Sequence, residues 1–99
     1  MTVNNTPRVL RIHRRSRWVE LDGRRHQFQP RVWAVLTALA GGRVVNRTDL
    51  ARAAGLDGLS ERRCDGLLVE IRRELGPDVV RNLRRRGWII NLPTEILDD

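Results

Sequence analysis

Residues 60–88 constrain this chain's fold more than any other stretch. Cys64, Leu67, Leu68, Ile71 and Leu75 recur at helical spacing, which predicts a helix over 60–75 with one buried face. Ser60 is its candidate N-cap and Gly76-Pro77 its stop. Residues 79–81 and 88–92 are then expected to pair as a hairpin. Its tip, from Asn82 to Gly87, carries Arg84, Arg85 and Arg86. A one-sided helix and a charged hairpin cannot make a core alone, so the preceding residues must close it.

Those residues carry their own signals. Val9, Leu10 and Ile12 alternate with arginines, and residues 18–21 read as a second strand. Asp22-Gly23 is a hairpin turn, with a return strand over 24–29 that places His26 and Phe28 on one face. The chain therefore opens with a small antiparallel sheet whose arginines mark its solvent face. Pro30 starts a first helix, with Val32, Trp33, Val35, Leu36 and Leu39 as its packing stripe and residues 40–42 as its end. Residues 43–45 form an extended link. Asn46 is an N-cap with Asp49 in the first turn, and Leu50, Ala51 and Ala54 face inward on a short second helix closed by Gly55. Residues 56–59 form a turn before the long third helix. The predicted class is α+β: an N-terminal antiparallel sheet, three helices and a C-terminal β-hairpin. The expected organisation is a disordered leader over 1–7, one domain over 8–92 and an acidic tail over 93–99.

Composition narrows the chemistry. Ninety-nine residues allow one domain with one modest core. The longest apolar run, 32–40, is half of the roughly 18 residues a membrane span needs. Residues 1–6 are polar and lack the apolar region of a secretion signal, so a cytoplasmic, nucleoid-associated protein is expected. The single cysteine excludes an internal disulfide, and His13 and His26 alone make a poor zinc site. Cys64 lies on the apolar face with no histidine near it in sequence, which reads as core packing rather than a nucleophile. Gly41-Gly42 is a helix end and not a phosphate loop. No metal, cofactor or catalytic constellation is expected, and the chain reads as a non-enzyme.

The net charge is +7, and all nineteen basic residues are arginine. A small domain this basic is drawn to nucleic acid, and arginine's planar fork suits phosphates and guanine edges. The charge is uneven. Residues 1–29 hold seven arginines against Glu20 and Asp22, and residues 76–92 hold four against Asp78. The helix over 60–75 is neutral, with four arginines and four acids. Basic regions thus flank a neutral helix.

The order sheet, helix, helix, long helix, hairpin, with these residues, resembles the winged helix-turn-helix DNA-binding domain of the OmpR/PhoB family over residues 8–92. The resemblance rests on Asp22-Gly23, on Trp33, Val35 and Leu36, and on Gly42-Arg43-Val44-Val45-Asn46-Arg47 with Leu50. It continues through Arg62, Cys64, Asp65, Leu68, Ile71, Arg72, Leu75 and Gly76 of the recognition helix, and through Asn82-Leu83-Arg84-Arg85-Arg86-Gly87-Trp88 of the wing. The resemblance implies a phosphate contact for Arg62. For Arg72 it implies either a phosphate contact or a brace against Asp65. Arg84 is implied to reach into the minor groove, and the turn over 56–59 is implied as a place where RNA polymerase can be met. A stand-alone domain without a receiver is expected.

The chain departs from the family where base reading is expected. Leu67, Val69 and Glu70 stand at outward positions that family members fill with polar or basic residues. Gly66 replaces an aliphatic residue and weakens the helix by roughly 1 kcal/mol relative to alanine. The expected function is a DNA-binding transcriptional regulator, with the helix in the major groove and the wing on the minor groove or backbone. The candidate contact residues are Arg47, Arg62, Arg63, Val69, Glu70, Arg72, Arg73, Arg81, Arg84, Arg85 and Arg86. Candidate partners are double-stranded DNA, RNA polymerase or another regulatory protein, and a second copy of the chain; a membrane is not one. The alternative is a winged-helix protein-interaction module with degenerate DNA reading, using Leu67, Val69 and Glu70.

Overall fold

The computed structural model describes residues 8–55 and 61–99, at positions 61 and 62 the backbone alone. The elements run β1 Leu10–His13, β2 Trp18–Leu21, β3 Arg24–Gln27, α1 Pro30–Leu39, α2 Arg47–Ala53, α3 Glu61–Leu75, β4 Val80–Leu83, β5 Gly87–Ile90 and β6 Thr94–Leu97. The expected leader over 1–7, the turn over 56–59 and the Ser60 cap lie outside the described residues.

The first sheet has strand order β3-β2-β1-β6. Asp22 and Gly23, both at positive φ, turn β2 into β3, where Val19 pairs with His26. The antiparallel sheet expected from the sequence is in fact mixed, because β6 joins β1 in parallel, with Leu10 opposite Thr94 and Ile12 opposite Ile96. The residues after Pro93, expected to be a tail, thus form a strand of the domain. The Leu10 amide donates to the Pro93 carbonyl at 2.9 Å and the Arg14 amide to the Leu97 carbonyl at 2.8 Å, so β6 satisfies an edge of β1 that would otherwise stand open. The acids of this segment also find partners. Glu95 lies 3.6 Å from Arg11, and Asp98 lies 3.8 Å from Arg14. His13 Nδ1 lies 2.8 Å from Asp99 Oδ1, and the His13 ring stacks on Trp18 at 3.7 Å.

The inner face of this sheet contributes Leu10, Ile12, Val19 and Leu21 to the core. α1 covers it with Val32, Val35, Leu36 and Leu39, the stripe its 3.6-residue period required. Asn46 caps α2 as expected, its side-chain oxygen accepting from the Asp49 amide at 2.8 Å. α3 packs on α1 and α2 through Cys64, Leu68, Ile71 and Leu75. Each fully buried aliphatic side chain stabilises the fold by about 1.5–3 kcal/mol. No helix among the described residues is long and apolar enough to cross a membrane.

Two links fasten the sheet to the far end of α3. His26 Nδ1 lies 2.9 Å from Glu74 Oε1. Arg8 bridges Asp22, in the β2–β3 turn, and Asp78, just beyond α3, each at 2.9 Å. Hydrogen bonds to Asp22 and then Asp78 hold the Arg8 guanidinium pKa above its ordinary value, and Glu20 with Glu95 does the same for Arg11.

Candidate nucleic-acid interface

Burying Cys64, Leu68, Ile71 and Leu75 turns Arg63, Gly66, Val69, Glu70 and Arg73 outward on α3. Leu67 is intermediate: it is half-buried against the core rather than fully outward as the family pattern suggested. Arg63, Gly66, Leu67 and Glu70 share a groove of about 270 Å³ with Gln29, Arg31 and Val32 from the start of α1. Gln29 and Arg31 were missed in the sequence. The available signal was Pro30, whose place at the helix start puts its neighbours in an exposed first turn.

The hairpin β4–β5 is closed by Arg84, Arg85 and Arg86, with Arg85 at φ 68 and the Arg86 amide donating to the Leu83 carbonyl at 2.9 Å. It is not a free arm. Val45, in the link before α2, exchanges both backbone hydrogen bonds with Trp88, at 2.8 and 2.9 Å. The arginine tip therefore stands over the start of α2. Asn46, Arg47 and Thr48 form one wall of a cleft of about 400 Å³, and residues 82–88 form the other.

The structure separates the candidate arginines by what already holds them. Among the described residues no carboxylate pairs with Arg81, Arg84, Arg85 or Arg86, and all four are exposed. Arg63 and Arg73 are likewise exposed and without an acidic partner among the described residues. Arg47 is committed to Asp65 of α3, Nε to Oδ1 at 3.2 Å, although that buried oxygen accepts no well-aligned hydrogen bond. Arg72 is half-buried, and its Nε donates to the Pro77 carbonyl at 3.2 Å. Of the two roles the resemblance implied for Arg72, the brace against Asp65 is not the contact formed: Asp65 engages α2 and Arg72 fastens the turn that ends α3. The Arg62 side chain lies outside the described residues. The N-terminal arginines Arg8, Arg11 and Arg14 are matched by acids, whereas Arg15 and Arg17 in the β1–β2 turn have no acidic partner among the described residues. Among the described residues, no group of three or more His, Cys, Asp or Glu is placed to hold a metal ion, and Cys64 is fully buried in the core.

No family model matches this sequence, and no curated protein matches it. Solved structures do. A streptococcal redox sensor, of a family evolved from two-component response regulators, superposes with a TM-score of 0.76 at 20% identity. That match covers 93% of this chain, which spans 43% of the redox sensor's length. The DNA-binding domain of E. coli CadC gives 0.69 at 19% identity, covering 89% of this chain and 94% of that one. The DNA-binding domain of the response regulator AdeR, solved in complex with an intercistronic region, gives 0.74 at 15% identity, covering 94% of this chain and all of that one. The fold is a winged helix. It is the form these solved domains share, with three helices, a small mixed sheet and the β4–β5 hairpin as its wing. In winged-helix terms, the exposed face of α3, the start of α2 and the wing tip are the surfaces that carry the candidate residues.

Proposed function

We propose that this protein is a DNA-binding transcription regulator, with α3 entering the major groove and the wing lying on the minor groove or backbone. The observation that carries this reading is the wing: four exposed arginines with no carboxylate partner among the described residues, next to a cleft whose opposite wall is the start of α2. Unneutralised guanidinium groups at that density suit phosphate oxygens. The AdeR domain, whose fold this chain shares, was solved in complex with an intercistronic region, which supports the same reading. Action at the nucleoid in the cytoplasm, contact with RNA polymerase through residues 56–59 and pairing of two copies belong to the same proposal. Neutral α3 supplies little net charge, so the wing provides most of the electrostatic affinity.

The test is binding to an arbitrary duplex across a salt series, read by fluorescence anisotropy. If Arg81, Arg84, Arg85 and Arg86 each neutralise one phosphate, log K falls against log salt with a slope of about −3.6 from the wing alone. The double variant Arg84→Ala/Arg85→Ala should flatten that slope by about 1.8. Negligible binding by the wild type at low salt would sink the DNA reading.

A further inference from the structure

Gly66 lies in the interior of α3, where glycine costs helix stability. Among the described residues the fold gives no reason for it. Its φ is not positive, and a β-carbon added there would meet none of the described residues within 4 Å. A missing side chain that these residues do not require leaves room for a close approach from outside. One turn further along the same face, Val69 is 50% exposed, an apolar group left in water. The two positions are separated by about 4.5 Å along the helix axis, a little more than the rise of one base step. Arg63 and Arg73 continue this face on either side, and Glu70 stands beside Val69, exposed and without a partner among the described residues.

These neighbours decide what the apolar step meets. An apolar protein surface laid on Val69 would bury Arg63 and Arg73 with nothing to pair them. The edge of a base pair between two phosphate rows leaves both arginines their partners, while Glu70 is repelled from the phosphates and turned toward the base edges. Among base edges in the major groove, the one apolar feature is the C5 methyl of thymine.

We infer that Gly66 and Val69 form a thymine-reading step: Gly66 lets α3 sink toward the base edges, and the Val69 isopropyl group packs against a thymine C5 methyl. This rests on the duplex-DNA reading above and assigns the sequence preference of the same surface. Apolar contact replaces the hydrogen-bonding side chain expected in the middle of a recognition helix.

The experiment first selects a preferred site from a random duplex library with the full chain. Affinities are then measured for that duplex and for versions in which single thymines are replaced by deoxyuridine, which lacks only the methyl group. At one or two positions the wild type should lose about fourfold, the worth of one buried methyl-sized group. Val69→Ala should bind the thymine and deoxyuridine duplexes alike at those positions. Gly66→Ala should raise thermal stability yet weaken binding to the selected site, which separates loss of approach from loss of folding. Equal wild-type affinity for every deoxyuridine duplex would overturn the inference while leaving DNA binding intact. Failure to bind any duplex would overturn the underlying reading instead. Val69→Ala that binds the selected duplex like wild type but abolishes self-association of the wild type would also overturn it, assigning Val69 to a protein contact.

Discussion

Gly87 and Val45 are packed backbone to backbone. A β-carbon added to Gly87 would overlap the Val45 carbonyl oxygen and lie 2.7 Å from its carbon, and Gly87 sits at φ 136, where L side chains are rarely accommodated. This contact, with the two hydrogen bonds between Val45 and Trp88, fixes the wing against the start of α2. Gly87→Ala should cost about 1–3 kcal/mol from overpacking, with a further penalty for the strained backbone. Chemical denaturation measures it. In the surviving folded fraction the wing should be displaced, so affinity for duplex DNA should fall even though no charge is lost.

The ion pair between Arg47 and Asp65 joins α2 to α3 beside the wing cleft, with both side chains a little under half exposed. Pairs this exposed are worth roughly 0–1 kcal/mol. Asp65→Asn should therefore change stability little, while removing a negative charge from the edge of the proposed phosphate surface. The expected result is tighter binding to arbitrary duplex at low salt, with the gain disappearing at high salt. Equal affinity for both proteins at low salt would place Asp65 away from the DNA.

Much of the fold was legible because it is written locally. The 3.6-residue stripes of α1 and α3, the Asn46 cap and the Asp22-Gly23 turn are patterns within a few residues of each other, and each element lies where they predicted. β6 was not legible. Thr94–Leu97 is four residues long, follows a proline, contains Glu95 and runs into Asp98 and Asp99, and its partner β1 is over eighty residues away in the chain. Parallel pairing leaves no turn signal between the two strands. The candidate site was legible as a set of arginines but not as a set of free ones. Only the folded arrangement commits Arg47 to Asp65 and Arg72 to Pro77 while leaving Arg81, Arg84, Arg85 and Arg86 without an acid among the described residues.

The role of β6 has a direct consequence. Removing residues 94–99 uncovers the edge of β1 and takes away the acceptors of the Arg14 and Ser16 amides, Leu97 and Asp99. It also removes the partner of the buried His13 ring. Each lost hydrogen bond is worth on the order of 1 kcal/mol, so the truncated chain should unfold at clearly lower denaturant and show a tendency to aggregate through the open strand. Unchanged stability would return the segment to the role of a tail.

Arg72 and Arg73 are adjacent in sequence and should behave differently. Arg72 is half-buried with its Nε on the Pro77 carbonyl at 3.2 Å, so it fastens the turn that carries the chain from α3 into the wing. Arg73 is exposed and has no acidic partner among the described residues. Arg72→Ala should lower stability by about 1 kcal/mol, the worth of a typical hydrogen bond, and leave the slope of log K against log salt unchanged. Arg73→Ala should leave stability within about 0.5 kcal/mol of wild type, as surface substitutions do, and flatten the slope by about 0.9 if it neutralises one phosphate. Denaturation and salt titration on the two variants separate these effects. The reverse pattern would mean that Arg72 leaves the Pro77 carbonyl for a phosphate on binding, as the family resemblance implied.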